Sequence, residues 1–327
     1  MKAFVVSENQ GQLALGVRDV EPVAKEPDDV LIRVEFSSVN FKDAMVATSP
    51  SRVRRLDSLV GGVDAAGVVE TSNNKDVPPG TRVAVHGGNL GVGRDGGFAS
   101  KLYAPARYLS ALPASISTFD AMVIGTAGYT AMASLLALED RGLEPGAQIL
   151  VTGATGGVGS QAVTYLALRG FDAVASTGSP HESQWLIERG ASRVIGRGDV
   201  SDRPERVLGT ELWDGAIDCV GGETLHQILR SLCYGAAVAA SGLVASADLS
   251  ATLYPFITRG VALLGIDAVE ATPRTRERVW HALGATAQLL DFATLVDRVI
   301  ALEDLVRALE DVRNGVTRGR IVVQIGH

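Results

Sequence analysis

The chain has 327 residues, 46% of them hydrophobic and 20% charged, with a net charge of −7. That is enough chain for two domains with sizeable cores, and the acidic balance argues against binding nucleic acid through bulk electrostatics. Two cysteines, Cys219 and Cys233, exclude a disulfide framework or a cysteine-built zinc lobe. No uninterrupted apolar run reaches the ~18 residues of a membrane span, and the N-terminus, MKAFVVSENQ, lacks a signal-peptide core. A cytoplasmic protein without a membrane partner is expected.

From residue 1 to about 119 the sequence is strand-rich. MKAFVV, DVLIRVEFSSV, AGVVET, TRVAVHG and FASKLYAPA are separated by Pro, Gly and Asn/Asp turns, which predicts a compact, mostly antiparallel β domain. Near Asp120 the rhythm changes. DAMVIGTAGYTAMASLLALEDRG predicts a long helical region broken near Gly125 and Gly128. Strands are expected at 149–152, 173–176, 193–195, 215–219, 236–240 and 262–266, with helical stretches between them, so right-handed crossovers build a doubly wound parallel sheet. Beyond Ile266 the pattern predicts a helix-rich return, TPRTRERVWHALGATAQLL and then LVDRVIALEDLVRALEDVRNG, and a closing strand, RIVVQIG. The expected division is 1–122 for the β domain, 123–266 for the nucleotide domain and 267–327 for the return to the first.

The most informative stretch is QILVTGATGGVGS at 148–160. A buried apolar strand is followed at once by Gly153, Gly156, Gly157 and Gly159, with Thr155 and Val158 between them, and then by a helical pattern that stops at Gly170. Strand, glycine turn and helix in this order mark a dinucleotide fold: the backbone turns close to a pyrophosphate, and the helix N-terminus presents N–H groups to it. At the end of the next strand an NAD-selective fold carries an acid for the ribose hydroxyls. Here the residues are Ser176, Thr177, Gly178 and Ser179, with no acid, which favours NADP. That loop itself holds no Arg or Lys to grip a 2′-phosphate. Ligands bind such sheets at the carboxyl edge, so Cys219 with Gly221, and Gly242 with Leu243, are further candidate contacts. In the first domain the loop HGGNLGVGRDGGF at 86–98 implies mobility or close backbone approach. Arg52, Arg54 and Arg55 form a basic turn, read either as a docking point for an anionic substrate or as a solvated surface.

SSVNFKDAMV at 37–46, GVDAAGVV at 62–69, PPGTRVAV at 78–85, GTAGYTAM at 125–132, VTGATGGVG at 151–159 and the terminal GRIVVQI resemble the medium-chain dehydrogenase/reductase superfamily over essentially the whole chain. The resemblance is to its zinc-free, quinone-oxidoreductase-like branch, and MVIGTAGYTAM and GASRVI look most like the acryloyl-CoA reductase subfamily. It implies a Rossmann domain beside a GroES-like β domain, a homodimer formed along 261–266, and NADPH-dependent reduction of a CoA-linked or otherwise activated alkene. A quinone reductase and a non-catalytic NADPH-binding sensor are the rival readings. In the zinc enzymes of this superfamily a Cys and a His ligand stand where this chain has Asn40 and Val63, and its five histidines, read as surface or turn residues, show no paired ligand spacing. No metal is expected. The resemblance places Asn40 beside nicotinamide and substrate, with an enolate held by donors near it, and Thr126 near the nicotinamide. It leaves Lys42 and Asp43 to orient substrate, supply protons or form a structural ion pair. Phe41 stands where relatives often have a proton-donating Tyr, so water, Tyr129 or another group must protonate the α-carbon. Tyr234 and Arg320 are expected to approach a phosphate.

Overall fold

The computed structural model describes residues 1–200 and 206–326, so His327 lies outside the described residues. Two compact units emerge: residues 1–129 with 268–327, and residues 130–267.

The first unit begins with a hairpin of β1 (Lys2–Asn9) and β2 (Gln12–Asp19). Its turn, Gln10-Gly11, has positive φ at both positions, which matches the twist of the flanking strands. β3 (Asp29–Val39) runs into the short helix α1 (Phe41–Val46); β4 (Ser58–Val60), β5 (Asp64–Thr71), β6 (Arg82–His86), β7 (Lys101–Pro105) and β8 (Leu109–Ala111) follow. β4 pairs with β1, so a three-stranded sheet forms in the order β2-β1-β4. β2, β4 and β8 carry no long apolar run, and the sequence pattern does not single them out.

α2 (Thr118–Glu139) is continuous except at Gly125, whose φ of 51° and ψ of −163° break the helix; Gly128 does not interrupt it. By length and composition α2 is a helix apolar enough to cross a bilayer, contrary to the expectation that none exists. It is 83% buried in the fold over that window, as a core helix is.

The second unit alternates β9 (Gln148–Thr152), α3 (Gly157–Leu168), β10 (Asp172–Thr177), α4 (Ser183–Ile187), β11 (Arg193–Gly196), β12 (Trp213–Asp218), α5 (Gly222–Ser231), β13 (Leu232–Ala240), α6 (Tyr254–Arg259) and β14 (Ala262–Gly265). All pairings are parallel, and the order is β11-β10-β9-β12-β13-β14. The strand order reverses beside β9, the switch point at which doubly wound sheets bind ligands. Ile149, Leu150 and Val151 are fully buried, as strands covered on both faces must be. Trp213, Ile228, Leu232 and Val238 fill the core on one side.

The chain then returns to the first unit through α7 (Pro273–Thr286), β15 (Val296–Ile300), α8 (Leu305–Arg313) and β16 (Arg320–Gln324). β15 corrects the helical reading of LVDRVI: it pairs in parallel with β16, and β16 pairs antiparallel with β3. The main sheet of this unit therefore runs β15-β16-β3-β5-β6-β8, with β7 also on β3. Ile32, Val34, Val85, Leu102, Ile321 and Val323 belong to its core.

Candidate functional site

In the first unit the polar chemistry gathers around Asp64, at the start of β5. Its carboxylate is fully buried. Oδ2 accepts from the Ser38 hydroxyl at 2.7 Å and from Asn40 Nδ2 at 2.7 Å, and Oδ1 accepts from the Thr126 hydroxyl at 2.5 Å. The Thr126 backbone N–H also donates to it, at 3.0 Å. The Arg320 guanidinium stands 3.7 Å away as counterion. A buried charge needs this degree of pairing, because desolvation without partners costs several kcal/mol.

Gly125 makes the arrangement possible. Its left-handed backbone turns the next N–H out of the helix ladder toward Asp64, and a Cβ there would lie 2.5 Å from Asp64 Oδ2, 2.6 Å from Arg320 Nη2 and 2.8 Å from Ser38 Oγ. Only glycine fits at such a point.

Asn40 is held at both ends. Its Nδ2 donates to Asp64 and, at 3.3 Å, to Ser38 O, while its Oδ1 accepts from Arg320 Nη1 at 3.1 Å. Both amide hydrogens are engaged within the protein, so Asn40 is not itself a donor to an enolate. Thr126 likewise turns its hydroxyl hydrogen to Asp64. Arg320 is 2% exposed, and it donates to Val123 O, Val39 O, Asn40 Oδ1 and Ser38 Oγ. It is an internal brace, not the phosphate ligand expected.

Asp43 is buried as well. It accepts the Asn40 backbone N–H at 2.8 Å and the Val63 N–H at 2.8 Å, so it fastens α1 to the start of β5 and makes no ion pair with Lys42. Burial, reinforced by the nearby Asp64 charge, pushes its carboxyl up to about 7. Lys42, beside it, is exposed. Tyr129 is fully buried and packs on His86 with ring centroids 4.4 Å apart. His86 is 1% exposed, contrary to its reading as a surface residue. Burial and the Arg276 charge lower its pKa to about 4, against the opposing pull of Asp64.

The loop after β6 is tied down rather than mobile. Gly96, Gly97 and Phe98 N–H donate to Val60, Gly62 and Gly61 carbonyls. Arg94 is locked to Glu26 at 3.1 Å and Asp29 at 2.9 Å. In the basic turn, Arg54 is buried against Glu8 and the Val46 and Thr48 carbonyls, and only Arg52 and Arg55 are exposed. No three His, Cys, Asp or Glu side chains among the described residues are placed to hold a metal ion. With a carboxamide at 40 and a buried isopropyl group at 63, the donor set does not fit zinc, which binds through thiolate, imidazole or carboxylate.

In the second unit the carboxyl edge of the sheet carries the dinucleotide features. Gly153 follows β9 with φ of 60°, Gly156 caps α3, and Thr155, Gly157 and Val158 complete the turn. A Cβ on Gly159 would fall 2.7 Å from Ala154 Cα, so α3 lies against this turn only because the residue is glycine. Asp218, at the end of β12, accepts from the Thr152 hydroxyl at 2.6 Å and from Gly221 N–H at 2.8 Å. It thereby shapes the Cys219–Gly221 turn, against which Gly242 packs. Burial, and then Asp218, raise the Cys219 thiol to about 12, so it is not a nucleophile. Leu243 is 63% exposed on the same edge.

At the end of β10, Ser176 is buried and its hydroxyl faces Gly196 O at 3.4 Å. The Ser179 N–H closes on the Thr177 hydroxyl at 3.0 Å. The cation missing from this loop comes from the neighbouring strand: the Arg197 guanidinium lies directly over Gly178, in the space a side chain there would fill. Its position one residue past β11, beside β10 in the sheet, was the available signal. Tyr234 is misplaced in the sequence reading. It stands near the start of β13, 78% exposed, with its N–H on Glu211 at 2.9 Å. Six residues of strand, about 20 Å, separate it from the carboxyl edge.

Among family models, residues 26–114 match the alcohol dehydrogenase GroES-like domain, and residues 157–284, which run from the second unit on into α7, match the family described as zinc-binding dehydrogenase. The chain is 40% identical to Bacillus subtilis YhfP, whose name provisionally assigns it to the quinone oxidoreductases, over 99% of this chain and 98% of that one. It is 37% identical to the acrylyl-CoA reductase AcuI of Ruegeria pomeroyi, over 97% of this chain and 96% of AcuI. Among solved structures, the yhdH oxidoreductase of Salmonella enterica in complex with NADP superposes with a TM-score of 0.93 at 35% identity, covering all of both chains. The YhfP structure with NAD bound gives 0.94 at 39% identity, covering 99% and 98%.

Proposed function

The chain belongs to the medium-chain dehydrogenase/reductase family, and on that premise we propose that it is an NADPH-dependent, zinc-independent reductase of an activated C=C bond, of the enoyl-thioester or enone class. The observation that carries the cofactor choice is Arg197 over Gly178 at the end of β10, where no acid stands. A guanidinium there grips a 2′-phosphate through charge-assisted hydrogen bonds. The yhdH complex with NADP supports it; YhfP with bound NAD marks the relative in which the preference is open to test. The alkene substrate rests on the likeness to acrylyl-CoA reductase.

When bound, NADPH supplies a hydride to the electron-poor β-carbon. The protein's own part is positioning. First-turn N–H groups of α3 face the pyrophosphate, Arg197 fixes the 2′-phosphate, and the Asp218 turn sets the edge against which the dinucleotide lies. In the first unit Asp64 and Arg320 hold the Asn40 amide, and Asp64 holds the Thr126 hydroxyl, each in a single orientation.

A quinone reductase is the second reading, favoured by Phe41, since reduction of a quinone needs no placed proton donor to carbon. The deciding experiment follows NADPH oxidation with acryloyl-CoA, crotonyl-CoA, small enones and quinones, before and after dialysis against a chelator. Turnover of the alkenes that survives dialysis is expected. Turnover of quinones alone gives the second reading; tight NADPH binding with no turnover gives a sensor; activity lost with stoichiometric zinc overturns zinc independence. We further propose that the protein works as a homodimer joined along β14, the edge strand at the end of the parallel sheet opposite β11.

A further inference from the structure

We propose that Lys42 is the catalytic acid of this enzyme: its ammonium holds the carbonyl oxygen of the substrate as negative charge develops and then protonates the α-carbon. The inference deepens the reductase reading and rests on it.

It comes from the direction of every other donor in the cluster. Reduction of an activated alkene has two halves. The β-carbon receives hydride from the nicotinamide, and the π pair moves onto the α-carbon and carbonyl oxygen as an enolate. The enolate then needs a positive or donating group, and the α-carbon needs a proton. Asn40 has its amide hydrogens on Asp64 and Ser38 O. The Ser38 and Thr126 hydroxyls both donate to Asp64. Arg320 is 2% exposed and directed at Val123, Val39, Asn40 and Ser38. Asp43 is 3% exposed with both oxygens taken by backbone N–H groups. Tyr129 and His86 are sealed in the core, and Phe41 has no donor.

Lys42 alone among these residues combines exposure with a charged donor. It sits on the outward side of α1, two residues from Asn40, and makes no hydrogen bond or ion pair among the described residues. A compact ammonium on a flexible stem suits both tasks, since it neutralises an enolate oxygen and can release a proton. In the step, an Nζ–H bond breaks as the α-carbon C–H bond forms, the enolate pair becomes that bond, and the neutral amine regains its proton from water.

The test uses Lys42→Met and Lys42→Arg in the full chain, with two readouts. In D2O, the wild-type enzyme should place α-deuterium on one face of the reduced acryloyl thioester. Lys42→Met should lower kcat by 10²–10⁴, the range for loss of a general acid, and give α-deuterium on both faces, because solvent then delivers it. The second readout needs no turnover. Acetoacetyl-CoA, whose enolate mimics the intermediate, should bind at least tenfold more weakly to Lys42→Met by calorimetry. Lys42→Arg should keep that affinity yet lose facial selectivity, because a guanidinium holds charge but does not give up a proton. One-sided deuteration by Lys42→Met, or acetoacetyl-CoA affinity independent of residue 42, overturns the proposal. Failure of the wild type to reduce any alkene while it still binds acetoacetyl-CoA through Lys42 overturns the reductase reading instead.

Discussion

Three residues, Arg197, Asp43 and His86, carry the proposed cofactor preference and the acid behaviour of the molecule, and none is evident from its own neighbours in sequence. Arg197 follows β11, yet its guanidinium occupies the space above Gly178 at the end of β10. Arg197→Gln should weaken NADPH binding by about 1.5–3 kcal/mol, the value of hydrogen bonds to a charged group, and leave NADH unchanged. Fluorescence titration with both cofactors measures it, and an equal loss for the two would show that Arg197 is not at the 2′-phosphate. Asp43 and His86 oppose each other as pH changes. Burial raises the Asp43 carboxyl from 3.8 to about 7, so the native state holds a proton that the unfolded chain has released, and stability from this group falls as pH rises from about 4 to 7. His86 is lowered from 6.5 to about 4; there the unfolded chain holds the extra proton, and stability rises over about 4 to 6.5. Asp43→Asn removes the first effect. Relative to wild type, its unfolding free energy should climb by roughly 1 kcal/mol per pH unit across that window, in urea titrations at pH 4.5, 5.5 and 6.5. A constant difference between the two proteins would mean that Asp43 titrates normally.

At the scale of elements, the parallel strands were legible because each is a short apolar run between turn residues, and burial on both faces demands such a run. β15 was not. Val296–Ile300 has Asp297 and Arg298 inside it and shows mixed burial, so its pattern merged with the amphipathic α8 that follows. The break in α2 was legible as a glycine, but its purpose was not. Asp64 went unremarked within GVDAAGVV, although a lone acid in an apolar run has to be buried with partners. Arg320 and Tyr234 were misread for the converse reason: residue type alone does not tell a brace in the core from a surface ligand, or one end of a strand from the other. The α2 break gives its own prediction. Gly125→Ala forces a Cβ onto Asp64, Arg320 and Ser38 at a left-handed backbone position, and should cost about 2–4 kcal/mol with loss of turnover. A denaturation midpoint equal to wild type would mean the cluster yields without strain.

For the whole molecule, the question is what covers the edge of the parallel sheet. β14 pairs with β13 on one side, and Leu263 is 38% exposed. Nearby in sequence, Leu253, Tyr254 and Ile257 are 70%, 58% and 76% exposed. An apolar edge of this kind invites pairing with another strand, and a twofold mate closes it without leaving a second edge. Sedimentation velocity at micromolar concentration should find a dimer for the wild type and a folded monomer for Ile257→Asp. A monomeric wild type, or a dimer indifferent to that charge, would place the contact elsewhere or nowhere.

The Asp64 cluster also has a history in time. It joins Ser38 and Asn40 to Arg320, a partner 280 residues further along the chain from Asn40. On the ribosome, at ~5–20 residues per second, Arg320 follows Thr126 by roughly 10–40 s. Throughout that interval the nascent β domain carries Asp64 without its counterion, and β3 without the strand that pairs its C-terminal half. The nucleotide unit, by contrast, is contiguous from 130 to 267 and has all its strands before Arg320 is made. Synthesis therefore finishes the cofactor-binding half first, and the half that carries Asn40 and Lys42 is locked by one of the last strands to emerge.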